Sequence, residues 1–423
     1  MDSFLGLDIG TSGVRATLIS DNGQILASSS TTLPVSFSKQ KMLSQQPEDW
    51  WQAVLDCLEQ LSSQYDLAGL QAISIDGTSG TTLLTDVQNR PVSPVLMYND
   101  VRPAELVKEL CGIAPAVPAC SRTSALAKAV WLFQNYTPVG GYFIQQQTDW
   151  VLSQFTGSPG ISDWNNALKL GFDPETLTWP EWLTAIDMGK GQFPHVLPPG
   201  MPVADISPRV ARQLGLPEST RLHAGTTDSI AAFLASGAGQ PGEAVTSLGS
   251  TLVLKLCTHK SINSNTHGIY SHRLDQQRWL AGGASNSGGA VLKANFSIGE
   301  LLSLSEQIKP DQDTGLKYYP LPSKGERFPF PDPDKMPIMQ PVPDNRSEYL
   351  QAIFEGIARI EKQGYELLEE LANEPVLSVR SCGGGATNPA WTRIRQRIVD
   401  RPFLQAKQTQ AAYGSALLAA GRL

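Results

Sequence analysis

The chain has 423 residues, 41% of them hydrophobic and 17% charged, with a formal net charge of −7. That length exceeds one ordinary core, so two domains are expected. The acidic balance and the lack of a basic stripe argue against nucleic acid as a partner. No run approaches the ~18 apolar residues of a membrane span.

The five cysteines, Cys57, Cys111, Cys120, Cys257 and Cys382, are odd in number and no pair has metal-finger spacing. That favours a reducing compartment. Five scattered histidines argue against a structural zinc site. A strand expected from about Phe4 leaves no room for a leader. The cytoplasm is therefore expected, or a plastid once a transit peptide has been removed.

Residues 4–10, 14–20 and 24–28 read as short strands. Gly10-Thr11-Ser12-Gly13 and Asp21-Asn22-Gly23 join them, and the second is a hairpin signal. Residues 47–64 read as a helix with Trp51, Val54, Leu55, Leu58 and Leu61 in one apolar stripe. Trp51, Trp131, Trp150 and Trp182 read as core or interface filler. Residues 70–75 read as a buried strand running into Asp76-Gly77-Thr78-Ser79-Gly80, a flexible polar loop. A further strand at 82–85 completes an α/β pattern. The boundary is expected near residue 221, giving domains 1–221 and 222–423. Beyond it the proline-rich stretch 309–345 reads as a long surface or mobile connection. A helix over 346–371 follows, with Leu350, Ile353, Ile357, Ile360, Leu367 and Leu368 on one side. Then come a strand at 376–381, the turn Cys382-Gly383-Gly384-Gly385-Ala386, and a helix opened by Pro389.

One pattern occurs twice. Leu5-Gly6-Leu7-Asp8-Ile9-Gly10-Thr11-Ser12-Gly13-Val14-Arg15 is apolar strand, small-residue turn, strand, and residues 244–256 repeat it around Gly249-Ser250-Thr251. Two such turns suggest related halves that grip one phosphorylated ligand. A Walker loop would need Gly-Lys-Ser/Thr opening a helix, whereas here the chain continues as a β-branched strand. Turn amides and hydroxyls would hold the anion as a backbone nest.

Eight segments in order resemble the FGGY carbohydrate kinases of the actin/hexokinase/Hsp70 superfamily, over nearly the whole chain. They are Leu7-Asp8-Ile9-Gly10-Thr11-Ser12, Ser74-Ile75-Asp76-Gly77-Thr78-Ser79-Gly80, Tyr98-Asn99-Asp100-Val101-Arg102 and Ala127-Lys128-Ala129-Val130-Trp131-Leu132. The others are Ser162-Asp163-Trp164-Asn165-Asn166-Ala167, Gly225-Thr226-Thr227-Asp228-Ser229, Gly325-Glu326-Arg327-Phe328-Pro329 and Gly383-Gly384-Gly385-Ala386-Thr387-Asn388. One Asp-x-Gly-Thr is a weak signal; eight segments in family order are specific. Within the family the chain looks most similar to the compact pentulose kinases of cyanobacteria and plant plastids.

The resemblance implies two ribonuclease-H-like, actin-type ATPase domains with a ligand cleft between them. It implies ATP and Mg²⁺ as cofactors, an N-terminal domain for sugar and phosphate, and a C-terminal domain for nucleotide. Asp228 is implied as the base that takes the sugar proton, against a plain helix cap. Asp8 is implied as the Mg²⁺ site, through water, against a turn-capping acid. Thr11, Ser12, Gly13, Gly249, Ser250 and Thr251 are implied phosphate contacts, with Arg15 facing the transferred group or else solvent. Gly384 and Gly385 would admit a flat adenine, with Gly288 and Gly289 lining the same pocket or packing helix on loop. Asn388 would bond the nucleotide or cap a helix, and Trp391 would cover the base or fill the core.

For the sugar the candidates are Asp8, Ser79, Gly80, Tyr98, Asp100 and Asp228, with Arg102 as a further contact or as the ion-pair partner of Asp100. Ser79-Gly80 stands where glycerol kinases carry Arg-Glu and xylulose kinases Met-His-Gly, a departure that disfavours D-xylulose. The expected activity is ATP-dependent phosphorylation of D-ribulose at O5, with D-xylulose or a pentitol as alternatives. The expected partners are sugar and ATP, with no nucleic acid and no membrane, in a monomer or small homo-oligomer. Two other classes stand beside it. A catalytically lost sugar- or nucleotide-binding regulator would need no base such as Asp228. A chaperone-like ATPase would need a peptide-binding appendage.

Overall fold

The computed structural model describes residues 1–34, 36–37, 43–114, 118–121 and 124–422. The chain forms two compact units, Met1–Ala235 with Gln410–Leu423, and Ser236–Thr409. The division falls after Ala235, beyond the expected position near 221. The reason is strand pairing: strands Arg221–His223 and Thr226–Thr227 both run parallel to Leu70–Gly77 of the first unit. The final helix Ala411–Ala419 also belongs there. It approaches the first strand so closely that a Cβ on Gly6 would lie 1.9 Å from the carbonyl oxygen of Ala412.

In the first unit β1 (Ser3–Ile9), β2 (Gly13–Ser20) and β3 (Ile25–Thr32) form an antiparallel meander. Helix α1 (Pro47–Gln64) then crosses to β4 (Leu70–Gly77), which lies parallel to β1. Proline at the first turn and Glu48 and Asp49 beside it suit a helix N-terminus. The buried face runs through Trp50, Ala53, Val54, Cys57, Leu58 and Leu61. Val54, Leu58 and Leu61 of the expected stripe are buried, but Trp50, Ala53 and Cys57 complete it in place of Trp51 and Leu55, which are half-buried, Trp51 lying edge-on to Phe155. A second cluster, including Leu84, Leu126, Leu132 and Ile144, supports strands Thr82–Asp86 and Tyr142–Gln146 and helix Ala125–Tyr136.

The second unit repeats this topology. Its hairpin is β5 (Glu243–Leu248) and β6 (Leu252–Thr258), followed by antiparallel β7 (Trp279–Ser285). Helix α2 (Arg346–Ala372) crosses to β8 (Ser378–Cys382), parallel to β5. The order β3-β2-β1-β4 therefore matches β7-β6-β5-β8, with one long helix in each crossover. The six aliphatic residues expected on one side of α2 are all buried. Asn345 caps its start, accepting from the N–H of Ser347 and Glu348.

The proline-rich connection departs from expectation. Its Tyr318, Leu321 and Phe328 are buried, and Phe328 packs where a Cβ on Gly283 would lie 2.2 Å from its ring. Isolated bridges Tyr319 to Ile338 and Glu326 to Asp332 fold it back on itself. Among the described residues no helix is long and apolar enough to cross a membrane.

Candidate active site

In the first unit three strand ends bring acids together. Asp8 on β1 is the register partner of Arg15 on β2 and of Asp76 on β4, and Asp76 is the partner of Thr226. Thr226–Thr227 leads directly into helix Asp228–Ala235. Ligand-binding groups in α/β sheets gather at such carboxyl ends of parallel strands.

Arg15 donates to Asp8 Oδ2 at 3.1 Å, so its side chain faces the turn and the acid. Burial pushes the Asp8 carboxyl above its usual range, and the Arg15 charge opposes this. Asp76 is fully buried, and Ser415 donates to its Oδ2 at 2.6 Å. Burial and then the Asp8 charge push Asp76 well up. Asp76 Oδ1 is buried without a partner. Asp76 ends a buried strand and is not part of the flexible loop expected there. The sequence signal for it is an Asp just before a Gly at the end of an apolar strand, close to the pattern of Asp8-Ile9-Gly10.

Among the described residues no three acidic, histidine or cysteine side chains form a metal cage. The Asp8 and Asp76 oxygens instead suit a hard cation held mainly by water and phosphate. Asp228 is half-buried at the first position of its helix, and its Oδ1 accepts from the Ser229 N–H at 2.6 Å. Its charge reaches Asp76.

The turn at residues 10–13 closes with Gly10 N–H donating to Gly13 O at 3.0 Å. Thr11 is half-buried and Ser12 exposed. Gly13 has a packing reason: a Cβ there would lie 2.5 Å from Thr31 O on β3.

The loop after β4 is ordered by hydrogen bonds, against the expectation of flexibility. Thr78 donates through N–H and Oγ1 to Gln147 Oε1 at 3.0 and 2.8 Å, and Gly80 N–H donates to Gln146 Oε1 at 3.0 Å. Lys169 donates to Ser79 O at 3.4 Å, and Lys128 to Gly80 O at 2.7 Å. Ser79 Oγ is buried without a partner. Tyr98 is 39% exposed. Asp100 is fully buried and held by Arg102 at 2.6 Å. Its carboxylate orders the segment as an ion pair and is closed off from a sugar hydroxyl. Lys128 escaped sequence reading as a site residue; its signal was one lysine inside the apolar run 125–132.

In the second unit a cavity of about 810 Å³ is lined by Gly249, Ser250, Gly289, Gly384, Gly385, Asn388 and Trp391. That is the size of a small-molecule pocket. Gly249 and Ser250 carbonyls accept from Gly289 and Ala290 N–H, so the turn and the following helix are one structure. Thr251 O closes that turn by accepting from Gly249 N–H. Gly288 and Gly289 pack on it, a Cβ on Gly289 lying 2.7 Å from Gly249 O. Gly384 opens on empty space, whereas a Cβ on Gly385 would lie 2.5 Å from Trp391. Asn388 caps helix Pro389–Val399 through Trp391 N–H, and its Nδ2 donates to Ser305 Oγ at 2.8 Å. Trp391 is 1% exposed and stacked flat on Phe354 at 4.7 Å. It is a core aromatic that also lines the cavity.

The two family models of the FGGY carbohydrate kinases match this chain, the N-terminal domain at residues 3–235 and the C-terminal domain at 244–422. The chain is 26% identical to the xylulose kinase of Bacillus subtilis (strain 168), covering 99% of this chain and 88% of the relative. A xyloylose kinase from Brucella ovis superposes with a TM-score of 0.90 at 23% identity, covering 99% of this chain and 90% of that one. Plasmodium falciparum glycerol kinase with ADP superposes with a TM-score of 0.86 at 18% identity, covering 100% of this chain and 90% of that one. The repeated topology, the paired turn-bearing hairpins and these matches agree: the chain belongs to the FGGY family of carbohydrate kinases and is a sugar phosphotransferase.

Proposed function

We propose that the protein is an ATP-dependent pentulose kinase that converts D-ribulose to D-ribulose 5-phosphate. The observation that carries the sugar preference is Ser79. It stands where xylulose kinases carry Met-His-Gly, and its buried hydroxyl has no partner. Such a hydroxyl is stabilised by meeting a polar ligand atom. Asp8, Gly80, Tyr98 and Asp228 contribute the remaining sugar contacts.

Asp228 accepts the proton of the attacking hydroxyl. The Ser229 N–H donates to its Oδ1 at 2.6 Å and so orients the carboxylate at the start of the helix. The sugar oxygen forms a bond to the γ-phosphorus, the bond to the β-phosphate oxygen breaks, and ADP departs. Thr11, Ser12 and Arg15 at the first turn, and Gly249, Ser250 and Thr251 at the second, are the phosphate contacts of this reading. Gly384 and Gly385 receive the adenine. Asp8, with Asp76 beside it, would hold Mg²⁺, which would offset phosphate charge.

D-xylulose is the second reading, favoured by the xylulose kinases among the relatives. ADP release coupled to a panel of D-ribulose, L-ribulose, D-xylulose, glycerol, ribitol and no sugar separates the two readings.

A further inference from the structure

We propose that Lys128 is the positioning residue of the sugar loop, tying Gly80 to Tyr98 and fixing the spacing of the two segments that meet the sugar. The inference rests on the reading of Ser79, Gly80 and Tyr98 as sugar contacts. Lys128 lies one turn into helix Ala125–Tyr136 and is 0% exposed. Its neighbours Ala125, Leu126, Ala127 and Ala129 are also fully buried. From there Nζ donates to Gly80 O at 2.7 Å and to Tyr98 O at 3.0 Å.

A lysine in such surroundings is costly. Burial brings its ammonium down to about 7; the Lys169 charge pushes the same way and Asp100 opposes it. Asp100 is already engaged by Arg102. Methionine would fill the same space without that cost, so the cation serves the carbonyls it bonds.

Those carbonyls come from two separate segments. The segments are also joined by Tyr98 N–H donating to Thr81 Oγ1 at 3.0 Å and by reciprocal backbone bonds of Thr82 and Leu96 at 2.9 Å. Gly80 is held on both sides, its N–H by Gln146 and its carbonyl by Lys128. With the backbone fixed, the Ser79 hydroxyl keeps one position relative to Tyr98.

The test uses Lys128→Met and Thr81→Val in the full chain. Hydrogen exchange is followed at residues 78–82 and 96–100, and kinetics are measured with ATP and the pentulose of highest kcat/KM. Both variants should exchange faster in both segments. Sugar KM should rise about tenfold in Lys128→Met and about threefold in Thr81→Val, with kcat falling less than about threefold and ATP KM changing less than about twofold. Unchanged exchange at 78–82 overturns the positioning role, and this arm needs no substrate. Faster exchange with unchanged sugar KM also overturns it, by showing that the loop does not meet the sugar; that result removes the sugar-site reading as well. An equal rise in ATP KM marks a general structural effect and overturns it too. If Lys128→Met does not fold, Thr81→Val decides by the same readings.

Discussion

Gly384 offers a direct test of the proposed adenine site. It lines the cavity, a Cβ there would meet nothing within 4 Å, and its φ is not among the positive ones. A side chain at 384 therefore meets open space at the cavity wall without straining the turn. A flat aromatic group buries ~150 Å², and at ~25 cal/mol per Å² that is worth about 4 kcal/mol. A leucine that displaces half of it should cost about 2 kcal/mol, or about 30-fold in Kd. Gly384→Ala adds one carbon to open space and should change ATP affinity by less than about threefold. Gly385→Ala should behave differently. Its Cβ would lie 2.5 Å from the Trp391 ring and 2.9 Å from Leu248 Cβ, so the loss should appear in Tm. Titration calorimetry with ATP and with sugar, alongside thermal melts, reads all three variants. Unchanged ATP affinity in a well-folded Gly384→Leu protein would refute the adenine assignment. An equal loss of sugar affinity would show that these glycines serve folding.

Asp228→Asn keeps the acceptor for Ser229 N–H and caps a helix about as well. Tm should hold within a few degrees while sugar-dependent kcat falls roughly 10²–10⁴-fold, and retention of more than about a third of the rate makes Asp228 structural. Asp8→Asn should lower the rate and also weaken its Mg²⁺ dependence, read by titrating Mg²⁺ against kcat; an unaltered Mg²⁺ midpoint would remove Asp8 from that role. Asp149 is fully buried, and burial pushes its carboxyl up to about 8. The folded state then binds more protons than the unfolded chain between about pH 4 and 8, so this group loses stability as pH rises through that window. Asp149→Asn keeps an acceptor for the Gln146 N–H and removes the titration. Its Tm advantage over the parent should therefore widen from pH 5 to pH 8; a constant gap contradicts the burial argument.

Much of the fold was legible because it is local. The helix over 47–64, the long helix from Arg346 and both turn-bearing hairpins follow from periodicity and punctuation within short windows. What escaped depends on distant pairing. The unit boundary moved because Thr226–Thr227 pairs with β4, and because the helix near residue 415 returns to cover Gly6. Asp76 became an acid of the site only when β4 was set beside β1 in register with Asp8. The same limit applies to roles. Asn388 and Trp391 have residue types that suit a nucleotide, yet one caps a helix and the other stacks on Phe354. Asp100 suits a hydroxyl but is occupied by Arg102. Sequence names the donor; packing decides whether it is still available.

The central claim is that Mg·ATP is consumed fastest with D-ribulose. The most direct measurement is kcat/KM for coupled ADP release across the sugar panel. The highest value should fall on D-ribulose, with only a background rate without sugar. A kcat/KM about tenfold higher for D-xylulose or glycerol, about 1.4 kcal/mol in transition-state terms, would contradict the substrate assignment, and no sugar stimulation at all would contradict the kinase reading of this chain.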